Sequence, residues 1–145
     1  MTQSNLGPCA CSQIRRTARK LSTFYDEFLS PAGLTITQYS ILAKISRARS
    51  LSRSELAAQL GMDRTTLTRN LQPLELARFL TTSTGDDRRR HLLSMSSLGQ
   101  RKLRQSQPLW EEAQRAFSVK LGGAALRELR QLLTAAEAAA AMPDE

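Results

Sequence analysis

Arginine and threonine side chains are concentrated in two short stretches of this 145-residue sequence. Residues 64–69 read RTTLTR, and residues 87–90 read DRRR. Arginine can make two hydrogen bonds to guanine, and threonine can contact a thymine methyl group or a phosphate. Consecutive arginines repel one another in a solvated turn, whereas the negative potential of a narrow minor groove attracts them. Both stretches therefore predict contacts with double-stranded DNA. The candidate DNA-binding residues are Ser52, Arg53, Arg64, Thr65, Thr66, Thr68, Arg69, Asp87, Arg88, Arg89 and Arg90.

The two cysteines are the second group of residues with chemistry of their own. Cys9 and Cys11 stand at the start of the predicted first helix, close to Arg15 and Arg16. A helix N-terminus and neighbouring cations favour a thiolate, and a thiolate can be oxidised to a sulfenic acid or a disulfide. This pattern predicts a redox site, while the alternative is two small apolar residues at an interface between helices.

Catalytic and metal-binding patterns are not found in the sequence. The one histidine, His91, falls on a predicted strand, and Asp86 and Asp87 fall on a predicted turn. These residues do not form a catalytic set with a nucleophile and a base. Two cysteines with one residue between them and a distant histidine do not match a zinc site. We therefore expect no enzyme, no metal and no cofactor.

The composition predicts one soluble globular domain over residues 1–145. Apolar residues make up 41% and charged residues 23% of the chain, and the formal net charge is +8. Such a charge favours an anionic partner, with nucleic acid the first candidate. No apolar run approaches the roughly 20 residues that span a bilayer, and the N-terminus lacks a signal-peptide pattern. We expect a cytoplasmic protein that does not bind membranes, with its cysteines as free thiols.

The elements that must position these residues follow from hydrophobic periodicity and capping signals. The pattern predicts a mainly α-helical fold with a small β wing. Thr35 with Gln38 and Ser52 with Glu55 match capping boxes. Pro73 is expected to bend its helix, and Pro108 to kink or break its own. The predicted helices cover 9–30, 35 to about 47, 52–60, 63–77, 97–120 and 124–141, and the predicted strands cover 79–84 and 91–95.

The region from Ser52 to Leu80 predicts a helix-turn-helix. Ala57 is small enough for two helices to cross, Gly61 tolerates a left-handed backbone, and Leu67 can anchor the second helix. The two strands that follow, with residues 85–90 between them, predict a hairpin wing beside this helix pair.

Together these motifs resemble the MarR family of bacterial regulators, over about residues 9–133. The matching stretches are GLTITQYSIL (33–42), LSRSELAAQLGMDRTTLTRNLQPLELARFL (51–80) and DDRRRHLLSMSSLGQ (86–100). The resemblance implies a winged helix-turn-helix protein that binds a palindromic operator as a triangular homodimer. It also implies repression that is relieved by a ligand or an oxidant. The implied dimerisation helices lie in 9–34 and 97–141, and the DNA-binding region is 35–96.

Two kinds of release signal follow from the resemblance. Cys11 is spaced from Gly33 like the reactive cysteine of the family's organic-hydroperoxide sensors, and Tyr25 matches a tyrosine near that thiol. Ile36 departs from that branch, which has a second tyrosine there. The other signal is a small aromatic or amphipathic effector, with Phe24, Tyr25, Phe28 and Tyr39 as the candidate pocket. The alternative for these aromatic residues is packing in the core.

The dimer has support from the residues themselves. Leu126, Leu129, Leu132, Leu133 and Ala136 form a stripe on the last predicted helix, which has little of its own chain left to cover it. The alternative function is a non-enzymatic helical module that binds another protein through the helix at 97–120 and the alanine-rich end at 135–141.

Overall fold

The structure is a computed structural model that describes residues 6–84 and 91–141 of the chain. The helices and strands of these residues follow one another in the order α1-α2-β1-α3-α4-β2-β3-α5-α6, and a 3-10 turn at Ser30–Ala32 follows α1. The helices are α1 (Ala10–Leu29), α2 (Ile36–Ala48), α3 (Arg53–Leu60), α4 (Arg64–Leu76), α5 (Ser97–Leu121) and α6 (Gly123–Ala140). The strands are β1 (Ser50–Ser52), β2 (Leu80–Thr84) and β3 (His91–Met95).

The helices begin where the capping signals predict. Thr35 and Ser52 form complete capping boxes with Gln38 and Glu55. The Asp63 side chain accepts a hydrogen bond from the backbone N–H of Thr66 at the start of α4. These caps satisfy N–H groups that have no partner inside the helix. The predicted helix bounds agree with the structure to within one or two residues.

The predicted break at Pro108 is wrong, because α5 continues through this residue to Leu121. Pro73 likewise lies inside the continuous helix α4. A proline leaves the carbonyl four residues earlier without its helical partner. Both prolines lie on exposed helix faces, where water can bind that carbonyl, so the helix continues at a lower cost than in a core.

A three-stranded antiparallel sheet in the order β1-β3-β2 completes the wing. β3 pairs with β2 from Leu80 opposite Met95 onward, as the predicted hairpin requires. The strand β1 was not predicted, because three residues are too short to show an alternating pattern. Its central residue Leu51 lies opposite Leu93, and both side chains are buried.

One apolar core lies beneath α2, α3, α4 and the sheet. Its fully buried members include Ile41, Leu42, Ile45, Leu56, Leu67, Leu71, Leu74 and Leu93. The α2-α3-α4 helices with a β2-β3 hairpin beside them form a winged helix-turn-helix. Helices α1, α5 and α6, from the two ends of the chain, pack together beside this unit.

Two side chains fix the connection between α1 and α2. Asp26 of α1 accepts a hydrogen bond of 2.7 Å from the backbone N–H of Ile36, the first residue of α2. Lys102 of α5 donates a hydrogen bond of 2.9 Å to the carbonyl of Ala32, in the 3-10 turn. The connection is therefore bonded from both α1 and α5.

Across residues 6–84 and 91–141, no helix has the length and apolar character needed to cross a membrane.

Candidate nucleic-acid interface

The turn between α3 and α4 has the geometry that the sequence predicts. Gly61 adopts φ 64° and ψ 31°, a left-handed conformation that glycine enters without a Cβ penalty. The N–H of Met62 donates to the carbonyl of Ala57 at 2.9 Å, which closes the end of α3. Ala57 is 5% exposed and Leu67 is 1% exposed. The small residue, the turn and the apolar anchor therefore occupy their predicted places.

Helix α4 has an apolar side and a polar side. Leu67, Leu71 and Leu74 are buried in the core, so the helix cannot turn about its axis without exposing them. Arg64, Thr65, Thr66, Thr68 and Arg69 are all exposed. The structure thus brings together five of the predicted DNA-binding residues on one surface, at the N-terminal half of the helix. Residues in this part of a recognition helix reach base edges in the major groove.

Hydrogen bonds inside α4 limit what its threonines can offer a ligand. The Thr66 hydroxyl donates to Asp63, and the Thr68 hydroxyl donates to the carbonyl of Arg64 at 2.8 Å. Each hydroxyl proton is therefore already used, and what remains for DNA is an oxygen lone pair and a methyl group. Contact with a thymine methyl group suits these side chains better than donation to a phosphate.

Asp63 stabilises the start of this helix as an ionised group. The backbone N–H and then the hydroxyl of Thr66 hold the pKa of the Asp63 carboxyl below its usual value. This carboxylate lies beside Arg64 at the N-terminus of α4, where negative charge is favourable.

The remaining predicted DNA-binding residues are not part of α4. Ser52 caps α3, and its hydroxyl accepts the N–H of Glu55 at 3.1 Å. Arg53 donates to Glu75 near the end of α4, with 2.6 Å between the guanidinium nitrogen and the carboxylate oxygen. Asp87, Arg88, Arg89 and Arg90 lie outside the residues that the structure describes. The strands that lead to them, β2 and β3, are paired up to Thr84 and His91.

Of the predicted effector residues, Tyr25 and Phe24 line two different surfaces, and Phe28 and Tyr39 line neither. Tyr25 lines an open cleft of about 350 Å³ between α1, α2 and α5, and its hydroxyl donates to Gln114. Phe24 faces a larger apolar groove of about 650 Å³ along α1, α5 and α6. Phe28 contacts the Phe24 ring, with 5.2 Å between ring centroids.

Two residues of α5 complete the cleft, and sequence reasoning missed both. Tyr39 stacks on Trp110 with 5.7 Å between ring centroids, and Trp110 and Gln114 line the cleft beside Tyr25. Burial raises the pKa of both tyrosines. Trp110 is the one tryptophan of the chain, but its distance in sequence from Tyr39 concealed the pairing.

Both cysteines are free and exposed at the start of α1. The Cys9 sulfur accepts the backbone N–H of Ser12 at 3.4 Å and so caps the helix. Arg15 and Arg19 line the same small cleft as the two cysteines. Tyr25 lies 14 positions beyond Cys11 on this helix, about 21 Å along its axis at 1.5 Å per residue. The two side chains therefore do not meet within one chain.

Among residues 6–84 and 91–141, no group of three or more His, Cys, Asp or Glu residues is placed to hold a metal ion.

The comparisons with known proteins agree with this architecture. The model of the MarR family matches residues 32–90. The chain is 38% identical to the M. tuberculosis transcriptional regulator MosR, solved in complex with DNA; the match covers 92% of this chain and 100% of MosR, with a TM-score of 0.78.

Two more distant relatives show the same relationship. A mutant of E. coli MarR, solved with operator DNA, has the same fold at 24% identity; the match covers 86% of this chain and 91% of that one, with a TM-score of 0.78. The Bacillus subtilis HTH-type transcriptional regulator YwoH is 27% identical over 90 residues, which are 62% of this chain and 66% of that relative. The chain belongs to the MarR family of transcriptional regulators.

Proposed function

We propose that this protein is a cytoplasmic repressor that binds a pseudo-palindromic DNA operator as a homodimer. The observation that carries the proposal is the exposed polar side of α4, which is held in place by three buried leucines on its other side. MosR, at 38% identity, was solved in complex with DNA, and that likeness supports the same class of ligand for this chain.

The proposed contacts fall into two groups. Arg64, Thr65, Thr66, Thr68 and Arg69 contact base edges from α4. Residues 87–90 of the wing contact the sugar-phosphate backbone and the minor groove. Ser52, at the N-terminus of α3, contacts a phosphate. Arg53 differs from these residues because its guanidinium already bonds to Glu75.

DNA titrations test the proposal directly. A duplex selected by the protein from a random-sequence pool is compared with a scrambled duplex of the same composition. We expect the selected duplex to bind at least roughly a thousandfold more tightly, with an affinity that falls steeply as salt rises. If the two duplexes bind equally, the repressor function is wrong.

Substitutions separate the two groups of contacts. Arg69→Ala should cost about 1–3 kcal/mol on the selected duplex and little on the scrambled one, because it removes a base contact. Arg89→Ala should weaken both duplexes. Arg127→Ala, which removes the same charge from α6, is the control and should change neither. Equal losses on both duplexes for Arg69→Ala and Arg89→Ala would contradict this division.

The homodimer is supported by an apolar surface that the described chain leaves open. Leu132 is 61% exposed and Leu133 is 41% exposed on α6, and Val119 at the end of α5 is 82% exposed. Leu133 also lines the apolar groove with Phe24 and Phe117. A second copy that covers this groove removes the apolar surface from water. A two-fold dimer also matches a two-fold operator.

We propose that a small aromatic effector binds in the cleft beside Tyr25 and causes the protein to release its DNA. The cleft lies where α1 and α5 meet the first residue of α2, so an occupant touches both the terminal helices and the DNA-binding unit. Trp110 lines the cleft and is the chain's one tryptophan, so its fluorescence reports occupancy. A compound that displaces operator DNA without changing Trp110 fluorescence would place the effector elsewhere.

The second release signal that we propose is oxidation at Cys9 and Cys11. Both thiols are exposed and lie in the same small cleft as Arg15 and Arg19, so an oxidant can reach them. Peroxide should reduce operator binding by the parent protein but not by Cys11→Ser. The same loss of binding in the Cys11→Ser variant would exclude Cys11 as the sensing thiol, and the same loss in a variant that lacks both cysteines would leave the effector.

A further inference from the structure

Helices α3 and α4 are joined at one end by the chain and at the other by an ion pair. The turn at Gly61 links the end of α3 to the start of α4. Arg53 is the first residue of α3 and Glu75 is the last but one of α4, 22 positions away. The guanidinium and the carboxylate approach to 2.6 Å. The pair therefore spans the two helix ends that the turn does not connect.

The apolar contacts and the ion pair constrain α4 in different ways. Leu67, Leu71 and Leu74 bury one side of the helix, and apolar burial is non-directional. A guanidinium–carboxylate hydrogen bond has a defined geometry. Both partners are partly shielded, with 31% and 38% of their side chains exposed, so water does not fully screen them. The ion pair is thus suited to define the tilt of α4 against α3.

The charge of Glu75 is also informative. A carboxylate on a helix that faces DNA is repelled by the phosphates, and this repulsion weakens binding. Its bond to Arg53 neutralises it and at the same time occupies an arginine that would otherwise be free for a phosphate. The arrangement therefore gives up one phosphate contact and gains a fixed angle between the two helices.

We propose that Arg53 and Glu75 are positioning residues that set the angle of the recognition helix α4, so that sequence preference depends on them although neither reads a base. The proposal rests on the DNA-binding function proposed above. It predicts a loss that is confined to the selected duplex, because only base contacts require an accurately placed helix. It also assigns Arg53 a role other than phosphate contact.

The test combines affinity, salt dependence and charge reversal. Glu75→Gln keeps the shape of the side chain and Arg53→Gln keeps a shorter polar one, and each removes the ion pair. We expect each to lower the ratio of selected to scrambled affinity by roughly three- to tenfold. The salt slope should stay unchanged in Arg53→Gln, whereas Glu75→Gln frees Arg53 and raises the slope by at most about 0.9. If Arg53 contacted a phosphate, Arg53→Gln would instead lower the salt slope by about 0.9, and Glu75→Gln would leave the sequence preference intact. Either result would overturn the proposal.

Charge reversal supplies the rescue. Arg53→Glu and Glu75→Arg alone should each lose preference, and the double variant should recover the parent ratio to within about twofold, because the ion pair re-forms with its charges exchanged. Glu128→Gln is the control, because it removes one negative charge from an exposed residue of α6. Failure of the double variant to recover preference, with its melting temperature unchanged, would contradict the positioning role.

A measurement without DNA separates this inference from the proposed function. A change in helix angle should shift the backbone amide NMR signals of Arg64–Arg69, which lie six or more positions from Glu75, in Glu75→Gln and Arg53→Gln alike. Those signals should return in the double variant. If the parent protein showed no preference between the two duplexes, the proposed repressor function would be wrong. The NMR shifts would still show whether the ion pair positions α4. Unshifted signals would overturn the positioning role whatever DNA the protein binds.

Discussion

At the scale of single residues, side chains near the proposed DNA and effector sites are already engaged with their own chain. Thr66 and Thr68 donate within α4, and Tyr25 donates to Gln114. Such bonds restrict each side chain to one orientation before any ligand arrives. These side chains can therefore make fewer kinds of contact with a ligand than their residue types alone imply.

The tyrosines give the first prediction. Burial raises the pKa of Tyr25 and of Tyr39, and Glu111 adds to the effect on Tyr39. The unfolded chain therefore loses these protons first as pH rises. The corresponding stability is fully present below the unfolded pKa near 10 and is lost as pH rises through the folded values.

Ultraviolet absorbance of tyrosinate measures this titration, since the chain has two tyrosines. Both should ionise above the ordinary value. Tyr39→Phe removes one of the two tyrosine titrations. The titration that remains belongs to Tyr25, and the other step is thereby assigned to Tyr39. Ionisation of either residue at the pKa of an exposed tyrosine would contradict its burial in the folded protein.

At the scale of elements, local signals predicted the helices well because their information is local. Thr35, Ser52 and Asp63 cap helices through hydrogen bonds to residues three positions later, and Gly61 turns the chain where it stands. The strand β1 depends on pairing with β3 more than forty residues away. The sequence around residues 50–52 contains no trace of that partner, so this element could not be predicted.

The same distinction applies to the candidate site. The exposure of Arg69 was predictable because helical periodicity places it away from Leu67 and Leu71. Arg64 stands three and seven positions before these leucines and is exposed at the first residue of the helix. Glu75, Trp110 and Gln114 were not predictable, because each matters through a contact with a distant element. Pro108 shows the opposite error, in which a strong local signal was overruled by its exposed position on a long helix.

The junction of wing and α5 gives an element-scale prediction. A Cβ at Gly99 would overlap the carbonyl oxygen of Phe79 and lie 3.0 Å from its carbonyl carbon. Since that neighbour is backbone, it cannot move aside cheaply. Gly99→Ala should lower the free energy of unfolding by about 1–3 kcal/mol, measured by denaturant titration.

Gly123→Ala is the matched control, because a Cβ at that helix position meets nothing closer than the end of the Arg127 side chain at 3.7 Å. It should leave stability unchanged or slightly higher. Equal stability of the two variants would show that α5 and the end of α4 are not tightly packed at Gly99.

At the scale of the whole molecule, the apolar surface lies on the helices from the two chain ends, and the polar recognition surface lies on α4. The groove along α1, α5 and α6 includes Leu129 and Leu133. This separation lets two copies join through their terminal helices while both recognition helices stay exposed. It is the arrangement that a two-fold operator requires.

Analytical ultracentrifugation tests the assembly. Leu129→Asp with Leu133→Asp places two carboxylates in the groove, where a covering subunit would have to remove them from water. The variant should sediment as a monomer at concentrations where the parent protein is a dimer. Leu76→Asp, at a residue of α4 that is 78% exposed, is the control and should remain a dimer. A dimeric double variant would show that the interface lies elsewhere.

The bonds from Asp26 to Ile36 and from Lys102 to Ala32 have a consequence for motion. They hold the α1–α2 connection from two sides, so this connection does not act as a free hinge. The winged unit cannot swing against the terminal helices unless both bonds break or α1 and α5 move with it. In the release that we propose, a displacement of α1 is therefore passed on to α2 and the winged unit, and little of it is absorbed at the connection.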